Sequence, residues 1–318
     1  MAVSDEYRVL TKAFSVGFSG LGVDEKAFVS ILGRWDPKQR QFYRKNNHEF
    51  FRDDERQFER WGEHHVLQLR QEFLRLKDAV VLYTLHPWER DARLLKEALV
   101  KGPQLDLLIE TTCTRPSDEL LGARRAYHSL FEHSIEEDIA FHIKSPERKL
   151  LVALVSSYRY EGPKVHEDVA KSEAKVLVNA LKTADESKSL VGDEEIVRIL
   201  ATRSKLHLMS VYKYYKDFTG NFLDEDLNGR WALKQTVQCL CAPQVYFSKI
   251  LDVSLRMGVE EAARDAVTRV IVTRADEDMK HIKQEYQRKY GVSLSDKIEE
   301  VGNGSYKDFL LTLVAKAE

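Results

Sequence analysis

The sharpest chemical signal in the chain is Gly20-Leu21-Gly22, followed at once by Val23-Asp24-Glu25. Two glycines around one residue let the backbone turn its carbonyls outward, because neither carries a Cβ to obstruct them. A calcium ion takes about six to eight hard oxygens, and loop carbonyls with one bidentate carboxylate supply most of them. The same residues would serve equally as a helix C-cap and turn, so at this level both readings stand open. Asp224, Asp226, Asn228 and Gly229 begin like an EF-hand loop, but the required bidentate glutamate falls on Gln235. An amide lacks the two anionic oxygens, so this stretch reads as a solvated acidic loop. His64-His65 are adjacent, and on a helix their rings diverge too far to share a metal. Cys113 and Cys239 lie in apolar helical stretches, where a thiol is usually a small buried hydrophobe and a redox role is the alternative. Arg115 and Arg274 end apolar helices and would be partly buried, needing anionic partners. Asp91 and Glu110 are the nearest by type. There is no HExxH, no CxxC, no P-loop and no Gly-x-Ser-x-Gly elbow.

The elements that must position these residues repeat. Ser30–Arg34, Thr111–Arg115, Leu200–Arg203 and Ile271–Arg274 each close a short, mostly apolar helix on an arginine. The arginines stand roughly 70 to 90 residues apart, a period that implies stacked helical units. Each phrase is followed by a further apolar helix: Val80–Leu85, Lys149–Ser157, Trp231–Leu240 and Tyr306–Val314. One such unit cannot bury its apolar face alone, so four must pack into one molecule. Tyr7, Leu10, Phe14 and Phe18 predict a first helix over Asp5–Phe18. Asp24-Glu25 opens a second, and Asp36-Pro37 caps a third, with the proline in the first turn. The break inside the charged stretch Arg52–Leu76 cannot be located from the residues. Glu161-Gly162-Pro163 is the clearest linker and predicts two halves of two repeats each.

Composition narrows the function. Hydrophobic content of 43% and charged content of 31% over 318 residues fit a well-cored globule. A net charge of −2 argues against a nucleic-acid binder and against adhesion to anionic lipid by bulk charge alone. Three cysteines give no disulfide framework, and no apolar run is long enough to span a bilayer. The N-terminal residues offer neither a secretory signal nor a myristoylation site. A cytosolic, all-α protein is expected.

At the level of motifs the chain resembles the annexins, and specifically the plant ones, over essentially its full length. The resemblance rests on Gly20–Glu25, His86–Arg93, Ala123–His128, Ser156–Gly162 and the four helix-closing phrases. It implies a slightly curved disc of four repeats, each of five helices, over 1–86, 87–163, 164–242 and 243–318. It implies calcium held by loops on the convex face, bridging to anionic phospholipid. Carried over residue by residue, the first repeat offers the carbonyls of Phe18, Gly20 and Gly22. The late acid of its fourth-to-fifth helix loop falls on Glu72. Leu21, between the glycines, would dip into the bilayer interface.

The departures reduce four sites to one. Val23 replaces the usual threonine, and Phe73-Leu74 stands where a small, turn-forming pair is typical. The second repeat has Lys101-Gly102-Pro103-Gln104 without a second glycine. The third has a rearranged Val191-Gly192-Asp193, and in the fourth Val301 stands where the late acid belongs. Arg34 occupies the position of the histidine tied to peroxidase activity in some plant annexins. Cys113 and Cys239 match the cysteines of a proposed sulfur cluster. Asp91, Glu110, Arg115 and Arg274 match the polar lining of the family's central channel.

The function implied is reversible, calcium-dependent attachment to anionic membranes without catalytic turnover. The chain would be a cytoplasmic monomer that moves to the membrane periphery with calcium, with room for oligomers there. Three rivals come from other classes: a peroxidase or nucleotide phosphohydrolase, a calcium-permeable channel, and a helical scaffold for proteins such as actin.

Overall fold

Capping chemistry sets the helix boundaries. The computed structural model describes residues 3–13, 22–53, 59–100, 102–156, 159–183, 190–256 and 261–316. Helix α1 (Val3–Ala13) begins two residues earlier than the apolar spacing predicts; Phe14 and Phe18 lie outside the described residues. Asp24 caps α2 (Glu25–Leu32) by accepting the Ala27 amide at 3.0 Å. Asp36 and Gln39 form a reciprocal capping box on α3 (Pro37–Asn46), with Pro37 in the first turn as expected. The following stretch, unplaced from sequence, holds a small hairpin: β1 (Phe51–Asp53) pairs antiparallel with β2 (Glu59–Trp61), Phe51 opposite Trp61.

Helix α4 (Glu63–Thr84) then runs 22 residues without interruption. It contains no glycine or proline, and Phe73-Leu74 continue the helix where a turn would have to form. It stops before Pro87, whose ring disfavours helical backbone in the preceding residue.

Helices α5 (Pro87–Val100), α6 (Leu105–Thr114), α7 (Ser117–Phe131), α8 (Ile135–His142) and α9 (Glu147–Ser156) follow. After the 159–166 stretch come α10 (Glu167–Thr183), a 3₁₀ turn at Leu190–Gly192, α11 (Glu194–Thr202), α12 (Lys205–Thr219), α13 (Leu223–Asp226) and α14 (Trp231–Cys241). The chain ends with α15 (Pro243–Ser254), α16 (Glu261–Arg274), α17 (Met279–Tyr290), α18 (Leu294–Val301) and α19 (Gly304–Ala315). The fold class is all-α. Among the described residues, five helices fall in each of 87–163, 164–242 and 243–318, but only four in 1–86, because α4 lacks the expected break.

The chain divides into two units, and not at the mid-chain linker. One unit joins Met1–Thr84 to Phe247–Glu318; the other is Leu85–Tyr246. The first and last quarters therefore share a unit, which correction the linker at Glu161–Pro163 could not reveal. In the terminal unit, Tyr7, Trp35 and Tyr43 cluster with Leu10 and Ile31, Tyr7 and Trp35 meeting edge to face with ring centres 5.0 Å apart. In that same unit α4 packs against α16 and α19. In the central unit α5 runs along α7, α10 along α12, and α6 against α14.

All four arginine phrases do end helices, where a cation meets the last carbonyls and the negative end of the macrodipole. Arg34 donates from Nε to the Ser30 carbonyl at 2.5 Å. Arg203 lies bidentate on Glu173, and Arg274 bonds Asp278 at 2.7 Å. Two parts of the expected core differ: Val80 and Val81, read as the start of an apolar helix, stand 40% and 48% exposed on α4. No helix among the described residues is long and apolar enough to cross a membrane.

Candidate metal centre

Glu72 lies in the middle of α4, 1% exposed. Neither of its carboxylate oxygens has a hydrogen-bond partner of normal geometry. Burial, and then the nearby Glu25 charge, push its pKa from 4.5 up to about 8. Arg75 and the Val23 amide act in the opposite direction without offsetting that rise. A carboxylate buried without matching donors is costly, which marks a position that gains from a cation.

The backbone beside Glu72 is shaped by two glycines. Gly22 has φ +97°, and a Cβ there would sit 2.1 Å from the Asn303 carbonyl oxygen and 3.0 Å from Glu72 Oε1. Gly304 has φ +71°, and its Cβ would sit 2.0 Å from the Val23 carbonyl oxygen and 2.7 Å from Glu25 Oε2. Only glycines allow the 22–25 and 302–305 segments to cross at this distance. The crossing is tied down by side chains: Glu25 Oε2 accepts the Ser305 amide at 3.0 Å and its hydroxyl at 3.2 Å. Asn303 Nδ2 and the Asp24 amide both donate to the Ala13 carbonyl, at 3.3 and 2.8 Å.

The Glu72 carboxylate and the Asn303 carbonyl thus lie at Gly22, and the Glu25 carboxylate and the Val23 carbonyl lie at Gly304, on the other side of the same crossing. This is an all-oxygen, net anionic set, the donor chemistry of a hard divalent cation, and so the residues present fit calcium. Among the described residues no three His, Cys, Asp or Glu side chains group as a metal cluster, but a site of carbonyls and one or two carboxylates would not form such a group. Of the sequence-derived ligands, Gly22 and Glu72 are brought together, while Phe18, Gly20 and Leu21 lie outside the described residues. Glu72 is on a continuous helix, not in a loop. Its neighbour Glu25 was legible only as a first-turn acid, and Asn303 gave no signal at all, being distant in sequence.

The third loop uses its oxygens internally. In Val191-Gly192-Asp193 the Lys149 ammonium donates to the Gly192 carbonyl at 3.3 Å, and Asp193 caps α11 through the Glu195 and Ile196 amides. Glu300, near the fourth loop, pairs with Lys297 at 2.9 Å. Lys101 and Met257–Glu260 lie outside the described residues. The EF-hand-like stretch is also spent: Asp224 bonds the hydroxyl of Tyr212 and the amide of Gln238, and Asp226 bonds Tyr215 and Asn221.

The remaining polar residues are packed groups. Arg115 lies bidentate on Asp91, at 2.5 and 3.0 Å, both buried, in the central unit. Glu110, in the same unit, accepts the Tyr246 hydroxyl at 3.3 Å. Arg274, in the terminal unit, bonds Asp278 and lies 5.0 Å from the Phe247 ring centre. Burial pushes the Cys113 thiol up to about 11 and the Cys241 thiol to about 12, so both are protonated at neutral pH. Cys241, unsingled in the sequence, shares the buried Arg159 with Cys113; Cys239 is buried as well.

A sequence model described as Annexin matches residues 90–154 and 255–313. The chain is 48% identical to Annexin D4 of Arabidopsis thaliana, over 100% of both chains. The chain belongs to the annexin family, among its plant members. The fold agrees: chicken annexin V superimposes with a TM-score of 0.67 at 25% identity, covering 99% of this chain and 96% of that one. A calcium-bound structure of annexin (Sm)1 superimposes with a TM-score of 0.65 at 19% identity, covering 98% and 90%. Annexin membership and fold support calcium-dependent phospholipid binding in general, and annexin homologues are generally binding proteins, not enzymes.

Proposed function

We propose that this annexin attaches reversibly to anionic phospholipid through one calcium site in its first repeat, without catalytic turnover. The observation that carries the reading is the buried Glu72 carboxylate, its oxygens without a hydrogen-bond partner of normal geometry, facing the Gly22 backbone. Glu72 would supply the anionic oxygens, and the carbonyls of Phe18, Gly20 and Gly22 the remaining protein donors. Calcium, when bound, supplies a double positive charge with coordination positions left over for a phosphate oxygen. Glu25, already tied to Ser305, would hold the loop in register by its contact with the 302–305 segment. Leu21 would rest in the lipid interface. A chain of net charge −2 has no bulk attraction to an anionic surface, so the divalent bridge does the coupling. A single site is favoured because the third loop fills its carbonyl with Lys149 and its acid with a helix cap.

The test is sedimentation with phosphatidylserine vesicles over a calcium titration. Glu72→Gln should raise the calcium needed for half-maximal binding by at least about tenfold, the loss of one charge-assisted ligand. An unchanged calcium requirement would remove Glu72 from the site.

A further inference from the structure

Asparagine followed by glycine occurs twice in the chain, at Asn228-Gly229 and at Asn303-Gly304. The pair is chemically labile, because a glycine has no Cβ to keep its amide away from the asparagine side chain. In water the amide nitrogen loses its proton to hydroxide and attacks Cγ of the asparagine. A nitrogen–carbon bond forms, the Cγ–Nδ2 bond breaks, and ammonia leaves behind a cyclic imide. Water then opens the ring at either carbonyl, giving aspartate or isoaspartate. From the residues alone the two sites are equivalent, and the fold separates them.

At Asn303 every participant is held. The Gly304 amide donates its proton to Asn303 Oδ1 at 3.0 Å. Nδ2, the leaving group, donates to the Ala13 carbonyl at 3.3 Å. Gly304 is wedged at φ +71° against the Val23 carbonyl and Glu25, and the Ser305 amide is bound to Glu25 Oε2. The Gly304 nitrogen cannot turn onto Cγ without undoing the crossing of the 22–25 and 302–305 segments.

At Asn228 the same atoms are open. Asn228 and Gly229 are both exposed, at the corner of a turn closed by the Arg230 amide on the Leu227 carbonyl at 3.1 Å. Gly229 has φ +80°, and beyond its chain neighbours nothing lies within 4 Å of where a Cβ would stand. Its amide donates to no acceptor among the described residues. The Lys234 ammonium donates to Asn228 Oδ1 at 3.2 Å. That contact draws electron density from Cγ and stabilises the oxyanion of the tetrahedral intermediate.

We propose that Asn228-Gly229 is a site of spontaneous deamidation in the folded protein, assisted by Lys234, and that the fold shields Asn303-Gly304. Each conversion adds one negative charge to the loop that holds Asp224 and Asp226, at the entry to α14. The acidic form therefore accumulates with the age of the molecule. The proposal does not rest on the calcium reading.

The experiment holds the purified full chain in mildly alkaline buffer with chelator, native and in guanidinium, and follows both sites by proteolysis and peptide mass spectrometry. In guanidinium the two should convert at comparable rates. In the native chain Asn228 should convert at least about tenfold faster than Asn303, the protection given by an ordered, hydrogen-bonded segment. Lys234→Gln should slow the native Asn228 reaction about threefold, the size of a surface charge interaction, and leave its rate in guanidinium unchanged. Asn228→Gln should remove the acidic form from isoelectric focusing of aged native protein. Equal native rates at the two sites, or an acidic form that persists in Asn228→Gln, would overturn the proposal. An unchanged native rate in Lys234→Gln would overturn the assistance by lysine.

Discussion

Replacing Glu72 by glutamine should leave this protein less sensitive to alkali than the parent, even as it weakens calcium binding. In the folded chain the Glu72 carboxyl is buried and its pKa stands at about 8 against an ordinary 4.5. The sign follows from that order. Below the ordinary value both folded and unfolded chains hold the proton, and burial of the neutral acid is unopposed. As pH rises, the unfolded chain releases the proton freely and the folded chain does not, so stability is lost until pH passes about 8. Between about pH 5 and about pH 9 the parent should lose on the order of 4 kcal/mol through this one group. Glutamine cannot ionise, and whatever its buried amide costs is the same at both pH values. Urea unfolding followed by far-UV circular dichroism, in chelator at the two pH values, isolates the difference. The parent should lose about 4 kcal/mol more than Glu72→Gln across that range. Parallel losses in the two proteins would mean that Glu72 is solvated or partnered in solution, and the argument for a waiting cation site would go with it.

Two further outcomes follow from the same geometry. Leu21→Asp should weaken vesicle binding about tenfold, through loss of one buried leucine side chain, while isothermal titration shows calcium uptake nearly intact; equal loss of both would contradict insertion by Leu21. Gly304→Ala places a side chain at φ +71° against the Val23 carbonyl and Glu25. It should cost about 2 kcal/mol in urea unfolding and raise the calcium requirement, whereas a neutral effect would show that the crossing of the 22–25 and 302–305 segments does not shape the site.

Local signals were read well from the residues. Asp36-Pro37 announces a helix start because its cap, proline and Gln39 act within four residues. The arginine phrases announce helix ends for the same local reason. Glu72 was reached by counting within a family pattern; the structure places it beside Gly22, on a continuous helix where that pattern implies a loop. What stayed hidden depends on distance. Nothing near Glu25 announces Ser305, 280 positions away, and nothing in the Glu161–Pro163 linker announces that Met1–Thr84 shares a unit with Phe247–Glu318. The uninterrupted α4 was hidden for a different reason. Its apolar residues outnumber what its packed side needs, so periodicity points to a core face that in fact meets solvent.

The central claim is met most directly by diffraction from crystals soaked in calcium, with anomalous scattering used to count and locate bound ions. An ion coordinated by Glu72 and the Gly20–Gly22 backbone, with the Val191–Asp193 loop vacant, is the expected result. Ions elsewhere with Glu72 uncoordinated at saturating metal would contradict it.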